Sequence, residues 1–183
     1  MVESVDGRPL ERYLADRFFK PLRMTRTGYF FGEAIQRNLA TGYVGDDPQP
    51  PISDRLRELA PAFWNLKGNG GIQASANDMY TWYRALSRGP VVTVPMRHAL
   101  MTPHVQRDGE VAYGYGWFVR IGADGQLAQV SHTGSDGVFF CAFVWRPVDR
   151  LFYYLVTSTG EDAGAEAASR VLRRFRERNT RND

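Results

Sequence analysis

Apolar residues at helical spacing mark the first part of the chain. Four of them, between Pro9 and Pro21, fall at i, i+3, i+4 and i+8 and therefore share one helical face: Leu10, Tyr13, Leu14 and Phe18. Pro9 suits the first turn of this helix, and Pro21 ends it. Gly7 provides a stop for a short helical turn that comes before.

Similar patterns predict three further helices. The clearest runs over 75–87, where Ser75 with Asp78 three residues later resembles a capping box and Gly89 ends the helix. A shorter helix is predicted over 95–101, with Thr93 as its candidate cap. The last is predicted over 162–178, with apolar residues on one face and arginines on the other.

Residues 32–74 lack clear periodicity. Within them, DDPQPP at 46–51 is predicted to be a loop, and 68–71 is predicted to be a turn cluster. A segment of this length without strong elements is either a functional loop over a site or plain surface chain. The sequence leaves both alternatives open.

From Tyr113 onward the apolar period changes to two, which is typical of strands. Four strands are predicted, over 113–121, 127–131, 138–146 and 151–157. Their short connections make neighbouring strands antiparallel. The order of these elements along the chain is helices, a meander of strands and a final helix. This order predicts an α+β fold with helices packed on an antiparallel sheet. We expect one domain over 1–183, with a helical and loop part over 1–110 and the strands plus the C-terminal helix over 111–183.

Composition narrows the class of protein. With 183 residues, 43% hydrophobic and 23% charged, the chain is of globular type and about one domain long. The net charge is +3, and the arginine-rich end lacks interleaved aromatic residues, so no nucleic-acid partner is expected. No apolar run approaches the ~18 residues of a membrane span. The first residues lack the pattern of a signal peptide, so the chain as written is expected in the cytoplasm.

Cysteine and histidine content argues against several kinds of site. Cys141 is the only cysteine, which excludes an internal disulfide, and it is predicted to lie buried in an apolar strand. The three histidines are His98, His104 and His132, and the first two are not spaced as ligands borne on one helix. A metal enzyme is therefore the least favoured alternative, and no cofactor is expected.

The candidate chemistry lies in a hairpin at 127–145, LAQVSHTGSDGVFFCAFVW, whose turn is predicted to be HTGSDG at 132–137. This turn resembles the third motif of the serine β-lactamase and penicillin-binding-protein family, in which a Lys-Thr-Gly or His-Thr-Gly triplet lines the active site. Further segments resemble the same family in the same order and cover most of 3–160: GRPLERYLADRFFKPLRMTRTGY, GNGGIQASANDMYTWYRAL, YGYGW and LFYYLVTSTG.

The resemblance implies a role for each residue of the motif. His132 would supply a positive charge or a proton, in either protonation state of its ring, and Thr133 would present a hydroxyl to the substrate. Gly134 would leave room for the substrate to approach the backbone. The backbone N–H of Ser135 would donate to the developing oxyanion.

Two aromatic residues before the hairpin are candidates for substrate binding. Tyr113 and Tyr115 lie on the predicted strand that leads towards the motif, where they would line a pocket. The alternative is that they belong to the core, which is the commoner place for aromatic residues on a strand.

The chain departs from the family in its other motifs. Ser-x-x-Lys is absent, because Lys20 is preceded at that spacing by Arg17 and Lys67 by Trp64. Neither Tyr-x-Asn nor Ser-Asp-Asn occurs, and no Gly-x-Ser-x-Gly elbow replaces the nucleophile. The resemblance therefore implies the C-terminal part of a β-lactamase/transpeptidase-like fold: four strands, the terminal helix and part of a helical domain.

Three hypotheses follow for function. In the first, the parent protein hydrolyses a β-lactam, a D-Ala-D-Ala peptide or an ester through an acyl-enzyme, and this chain alone is inactive. In the second, the chain is a pseudoenzyme or a binding or regulatory module that self-associates or docks onto a complementing N-terminal half. The third is the metal enzyme. The sequence identifies neither the substrate, small molecule or peptide, nor the parent's compartment.

Overall fold

A computed structural model of the chain describes residues 1–29, 35, 37–52, 54, 67–89, 91–107 and 109–179. They fall into two units, Met1–Thr41 with Pro50–Arg97 and Gly42–Gln49 with His98–Asp183. The fold is α+β, as the sequence predicts. The single domain with a division after residue 110 stays a prediction.

The first unit opens with two short helices, α1 (Val2–Asp6) and α2 (Leu10–Leu14). Gly7 ends α1 in the left-handed conformation, with φ 75°, and its N–H donates to the Glu3 carbonyl at 2.9 Å. Helix α2 continues directly into a π-helical turn, Ala15–Phe19. The predicted helix between the two prolines is therefore confirmed.

Helix α3 (Ala76–Arg88) carries the predicted cap at its start, where the Ser75 hydroxyl accepts from Asp78 N–H at 3.1 Å. The Asp78 carboxylate is buried and accepts from two groups of another segment, Arg26 N–H and the Thr27 hydroxyl, each at 2.8 Å. These bonds join α3 to a short ladder of β1 (Thr27–Gly28) with β4 (Gln73–Ala74).

A further helix and a hairpin follow among the described residues. Helix α4 (Val94–Leu100) confirms the helix predicted over 95–101, and Thr93 caps it by accepting from Met96 N–H at 3.3 Å. Strands β2 (Gly42–Val44) and β3 (Asp47–Gln49) form an antiparallel hairpin.

The β2–β3 hairpin corrects the prediction of a loop over 46–51. It is anchored in its own unit, because Tyr43 N–H donates to the Ser158 carbonyl at 2.8 Å. Gly42 is required at the contact, since a Cβ there would lie 2.9 Å from the Phe139 ring. Part of the stretch predicted as a functional or surface loop lies outside the described residues, namely 32–34, 36, 53 and 55–66.

A six-stranded antiparallel sheet dominates the second unit, in the order β10-β9-β8-β7-β6-β5. Its strands are β5 (Val105–Gln106), β6 (Val111–Tyr113), β7 (Phe118–Ile121), β8 (Leu127–Ser135), β9 (Phe140–Arg146) and β10 (Leu151–Thr157). Consecutive strands are neighbours throughout, so the sheet is the predicted meander with one more short strand at its edge.

Three strands differ from the prediction in their boundaries, and for β9 the difference is a start at Phe140 instead of residue 138. The strand expected over 113–121 is two strands, β6 and β7, with a turn between them in which Gly116 has φ 79°. Strand β8 extends past Ser131 to Ser135, so the expected HTGSDG turn is wrong in its first four residues. The chain reverses at Asp136, whose Oδ1 accepts from Phe139 N–H at 2.7 Å and fixes the turn one residue after the strand ends.

The core of the sheet unit lies around β8 and β9. Val119 and Val130, which are paired across β7 and β8, are 1% and 0% exposed. Strand β9 is buried on both faces, at Phe140, Ala142, Phe143 and Val144. Helix α5 (Glu161–Asn179) confirms the predicted C-terminal helix and packs against β9 and β10.

Among the described residues, the structure holds no helix whose length and apolar content would let it cross a bilayer. Placement of the chain in the cytoplasm stays a prediction.

Gly164→Ala is expected to destabilise the protein, although alanine favours helix formation. The added Cβ would lie 2.6 Å from the Phe140 Cβ and closer still to its ring, so α5 must shift away from β9. Overpacking of this kind lowers the free energy of unfolding by about 1–3 kcal/mol. Chemical denaturation measures it, with the exposed Ser169→Ala in the same helix as control. An unchanged or raised stability would contradict the contact.

Candidate active site

Among the described residues, the C-terminal half of β8 is paired with a strand on one side only. The last residue of β8 that pairs with β7 is Ser131, which lies opposite Phe118. Pairing with β9 continues for four more residues, to Ser135 opposite Phe140. Within the part of the chain that the structure describes, His132–Ser135 is therefore an open edge.

The directions of the backbone groups on this edge follow from the turn. Asp136 N–H donates to the Phe139 carbonyl at 3.3 Å, so the backbone of Asp136 faces β9. Backbone groups alternate sides along an antiparallel strand, so those of Gly134 and His132 also face β9. The N–H and C=O groups of Thr133 and Ser135 consequently face the open side, and both residues are exposed.

His132 is held at both ring nitrogens. Its Nδ1 lies 2.7 Å from the Thr133 carbonyl oxygen, and its Nε2 lies 2.9 Å from the Tyr113 hydroxyl. A carbonyl can only accept, so Nδ1 carries a proton. In the neutral ring Nε2 is then the acceptor, and the Tyr113 hydroxyl donates to it.

An aromatic cluster surrounds this pair. The Phe118 ring stacks on the imidazole, with centroids 5.5 Å apart and 28° between the planes. The Tyr113 ring meets Phe118 edge to face at 5.0 Å and 74°. Phe118 was not singled out from the sequence, since its contact depends on where β7 begins relative to β8.

The two candidate tyrosines lie in different surroundings. Tyr113 contacts His132, whereas Tyr115 is 60% exposed and lies against the His104 ring, with centroids 4.2 Å apart and planes tilted by 31°. Tyr115 N–H donates to the Leu100 carbonyl at 3.1 Å, which fixes the turn that presents its ring. The structure thus joins one of the two tyrosines to the motif by a direct contact. Substrate binding by either stays a prediction.

Cys141 lies behind the motif and is half-buried, more exposed than predicted. It pairs with Gly134 across β8 and β9, and a Cβ on Gly134 would lie 3.2 Å from its sulfur. Burial raises the pKa of the Cys141 thiol and also that of the neighbouring Tyr154 hydroxyl. The thiol is therefore kept in its neutral form beside the motif.

Lys67 forms two ion pairs within its own unit, with glutamates whose side chains are 33% and 42% exposed. Its side chain is 8% exposed, and its Nζ lies 2.7 Å from Glu11 Oε2 and 3.1 Å from Glu3 Oε1. Glu3 also accepts from Leu10 N–H at 2.7 Å. This backbone bond, followed by the Lys67 bond, lowers the pKa of Glu3. Burial opposes the charge of Lys67, but its bonds to Glu11 and Glu3 prevail and raise its pKa.

The described residues contain no group of three or more His, Cys, Asp or Glu side chains that could hold a metal ion. Two of the histidines are engaged locally. The Nδ1 of His98 lies 3.3 Å from the Thr102 hydroxyl, and the Nε2 of His104 lies 2.9 Å from the Ala99 carbonyl oxygen.

Lys67→Met is expected to lower the melting temperature by several degrees, because it leaves Glu3 and Glu11 without their shared cation. The lowered pKa of Glu3 makes its contribution full above the ordinary value of 4.5 and lost as pH falls through the folded-state value. The raised pKa of Lys67 makes its contribution full below 10.5 and lost above its folded-state value.

The melting-temperature difference between wild type and Lys67→Met is therefore expected to be largest between about pH 5 and pH 10 and to narrow in acid. Calorimetry across this range measures it. The control is Lys20→Met, because Lys20 is 73% exposed and pairs with Asp16 on the surface at 2.6 Å. An equal loss in the two variants, or a difference that does not narrow in acid, would contradict this role of Lys67.

Comparisons with known proteins agree with one another. The family model described as Beta-lactamase matches residues 1–176. The D-aminopeptidase of Brucella canis is 27% identical over 175 residues, which are 94% of this chain and 32% of that protein. The chain thus spans about a third of the length of this relative.

Two solved structures share the fold. A penicillin binding protein from Bacillus halodurans superimposes with a TM-score of 0.74 at 22% identity, over 95% of this chain and 51% of that one. The octameric penicillin-binding protein homologue from Pyrococcus abyssi gives a TM-score of 0.70 at 23% identity, over 86% of this chain and 35% of that one.

Proposed function

This chain belongs to the Beta-lactamase family, and we propose that it supplies the third-motif wall of a serine-hydrolase active site. The open edge of β8 carries this proposal, because it directs the Ser135 N–H away from β9 and towards the space a substrate would occupy. In this role Ser135 N–H donates to the oxyanion, Gly134 lets the substrate approach, and Thr133 offers its hydroxyl.

Under the same proposal, the chain by itself has no hydrolytic activity. Acyl transfer requires a nucleophile and a base that accepts its proton. The 183 residues contain neither Ser-x-x-Lys nor Tyr-x-Asn. Lys67 does not substitute, since its ammonium group is bound by two glutamates. The nucleophile and the base therefore come from residues outside this sequence.

The substrate class we propose is a D-amino-acid peptide or a penicillin-type amide. Support comes from the names of the relatives, a D-aminopeptidase and penicillin-binding proteins. An open strand edge suits such ligands, because the backbone of an extended peptide can add to it through its own N–H and C=O groups. An ester substrate is the remaining alternative.

A binding module that docks onto a partner is the second candidate function. Its partner would be a complementing N-terminal half or a further copy of the chain. The octameric state named for the Pyrococcus abyssi homologue supports self-association in this fold. Light scattering during size-exclusion chromatography distinguishes the cases, and a monomer at every concentration would count against self-association.

Inactivity is tested by acylation of the purified chain. We expect no mass adduct after incubation with benzylpenicillin, and no release of product from D-alanine p-nitroanilide or p-nitrophenyl butyrate beyond that seen with heat-denatured chain. Intact-mass spectrometry and absorbance make these measurements. A stoichiometric penicilloyl adduct on a serine would show that the chain holds its own nucleophile and would refute the proposal.

Ligand contact at the open edge is tested by amide NMR on the same chain. Titration with a D-alanyl-D-alanine peptide is expected to shift the resonances of Thr133, Gly134 and Ser135 with weak, millimolar affinity. Gly134→Val should abolish the shifts at Thr133 and Ser135, because its branched side chain narrows the approach. Its Cβ would lie 3.2 Å from the Cys141 sulfur on β9, so unchanged resonances of β6 and β7 verify the fold. Shifts confined to other parts of the chain would contradict the assignment.

A further inference from the structure

Both ring nitrogens of His132 are used within the chain, which constrains how this residue can meet a ligand. Nδ1 donates to the Thr133 carbonyl at 2.7 Å, and Nε2 lies 2.9 Å from the Tyr113 hydroxyl. The lone pair of the neutral ring is at Nε2, where it accepts the hydrogen bond from the Tyr113 hydroxyl. A ligand at the open edge can therefore bond to an imidazole nitrogen only by displacing one of these partners, whereas the tyrosine oxygen keeps further hydrogen-bonding capacity.

We propose that Tyr113 is a positioning residue for His132, and that its hydroxyl oxygen is the atom through which His132 acts on a ligand. The role of the motif histidine in binding or reaction rests on the proposed function. The hydrogen bond between the two side chains does not, and it can be tested separately.

The geometry gives this pair two hydrogen-bonding states. With a neutral imidazole, the Tyr113 O–H donates to Nε2, and the tyrosine oxygen keeps lone pairs that can accept from a ligand N–H. When Nε2 takes a proton from solvent, its N–H donates to the tyrosine oxygen instead. The tyrosine keeps its own proton, which is then free to be donated to a ligand oxygen. Protonation of His132 thus changes the Tyr113 hydroxyl from an acceptor to a donor of hydrogen bonds with a ligand.

The surroundings hold the two side chains in place. The described groups against the imidazole are the Phe118 ring, the Thr133 carbonyl and Tyr113, of which Tyr113 is titratable. The Tyr113 ring is fixed by its edge-to-face contact with Phe118. The Tyr113 carbonyl accepts from His104 N–H at 2.9 Å, which anchors its backbone on the side of β5.

Tyr113→Phe isolates the hydroxyl, because the ring and its contact with Phe118 remain. Diethyl pyrocarbonate attacks the lone pair of neutral histidine, and peptide mass spectrometry gives its rate at each histidine separately. His98 and His104 are internal references. Tyr115→Phe is the matched control, since it removes the hydroxyl of a nearby tyrosine whose ring contacts His104.

Tyr113→Phe is expected to raise the modification rate of His132 about two- to tenfold, the factor that one hydrogen bond is worth, while His98 and His104 keep their rates. Tyr115→Phe should leave His132 unchanged. An unchanged rate at His132 in Tyr113→Phe would overturn the proposal. A parallel rise at all three histidines would also overturn it, because the hydroxyl would then serve the fold as a whole.

A second measurement needs no variant. Nitrogen-15 NMR of the wild-type chain reports which ring nitrogen of the neutral imidazole carries the proton. The proposal requires a protonated Nδ1 and a bare Nε2 at His132. A proton on Nε2 would reverse the direction of the bond to Tyr113 and overturn the proposal. Neither measurement depends on whether the chain binds or turns over a substrate.

Discussion

The candidate site depends on a mismatch in strand length within one sheet. Strand β8 is paired with β7 up to Ser131 and with β9 alone from His132 to Ser135, because β7 begins at Phe118 while β9 extends to Phe140. Backbone polar groups that lose a neighbouring strand must find another partner. The motif residues occupy the positions where this need arises, so their backbone is available to a ligand without any change in the sheet.

Local chemistry maintains the mismatch at both ends. Gly116, in the turn before β7, has φ 79°, which delays the start of that strand. Asp136 places the reversal after Ser135 by accepting from Phe139 N–H, which keeps the motif within the strand. The Thr133 carbonyl on the open side is bonded by His132 Nδ1. That bond turns the imidazole towards Tyr113 and leaves the N–H groups of Thr133 and Ser135 as backbone donors on the open side.

Periodicity predicted the helices well because each has local signals: Gly7 ends α1, and Ser75 caps α3. The family resemblance identified the residues of the motif. The sequence placed the hairpin turn too early, since His-Thr-Gly-Ser lacks apolar alternation and resembles turn composition. It also missed the break within YGYGW, where aromatic residues resemble a continuous strand. The contact of Tyr113 with His132 could not be predicted, because it depends on the register across three strands.

Single-residue hydrogen exchange of the backbone amides, followed by NMR, tests the central claim that β8 has an open edge. The account predicts slow exchange at Ser131, which bonds to β7, and at His132 and Gly134, which face β9. It predicts faster exchange at Thr133 and Ser135, whose N–H groups face the open side. Equal protection of all five amides would mean that another segment covers this edge, and it would contradict the placement of the site.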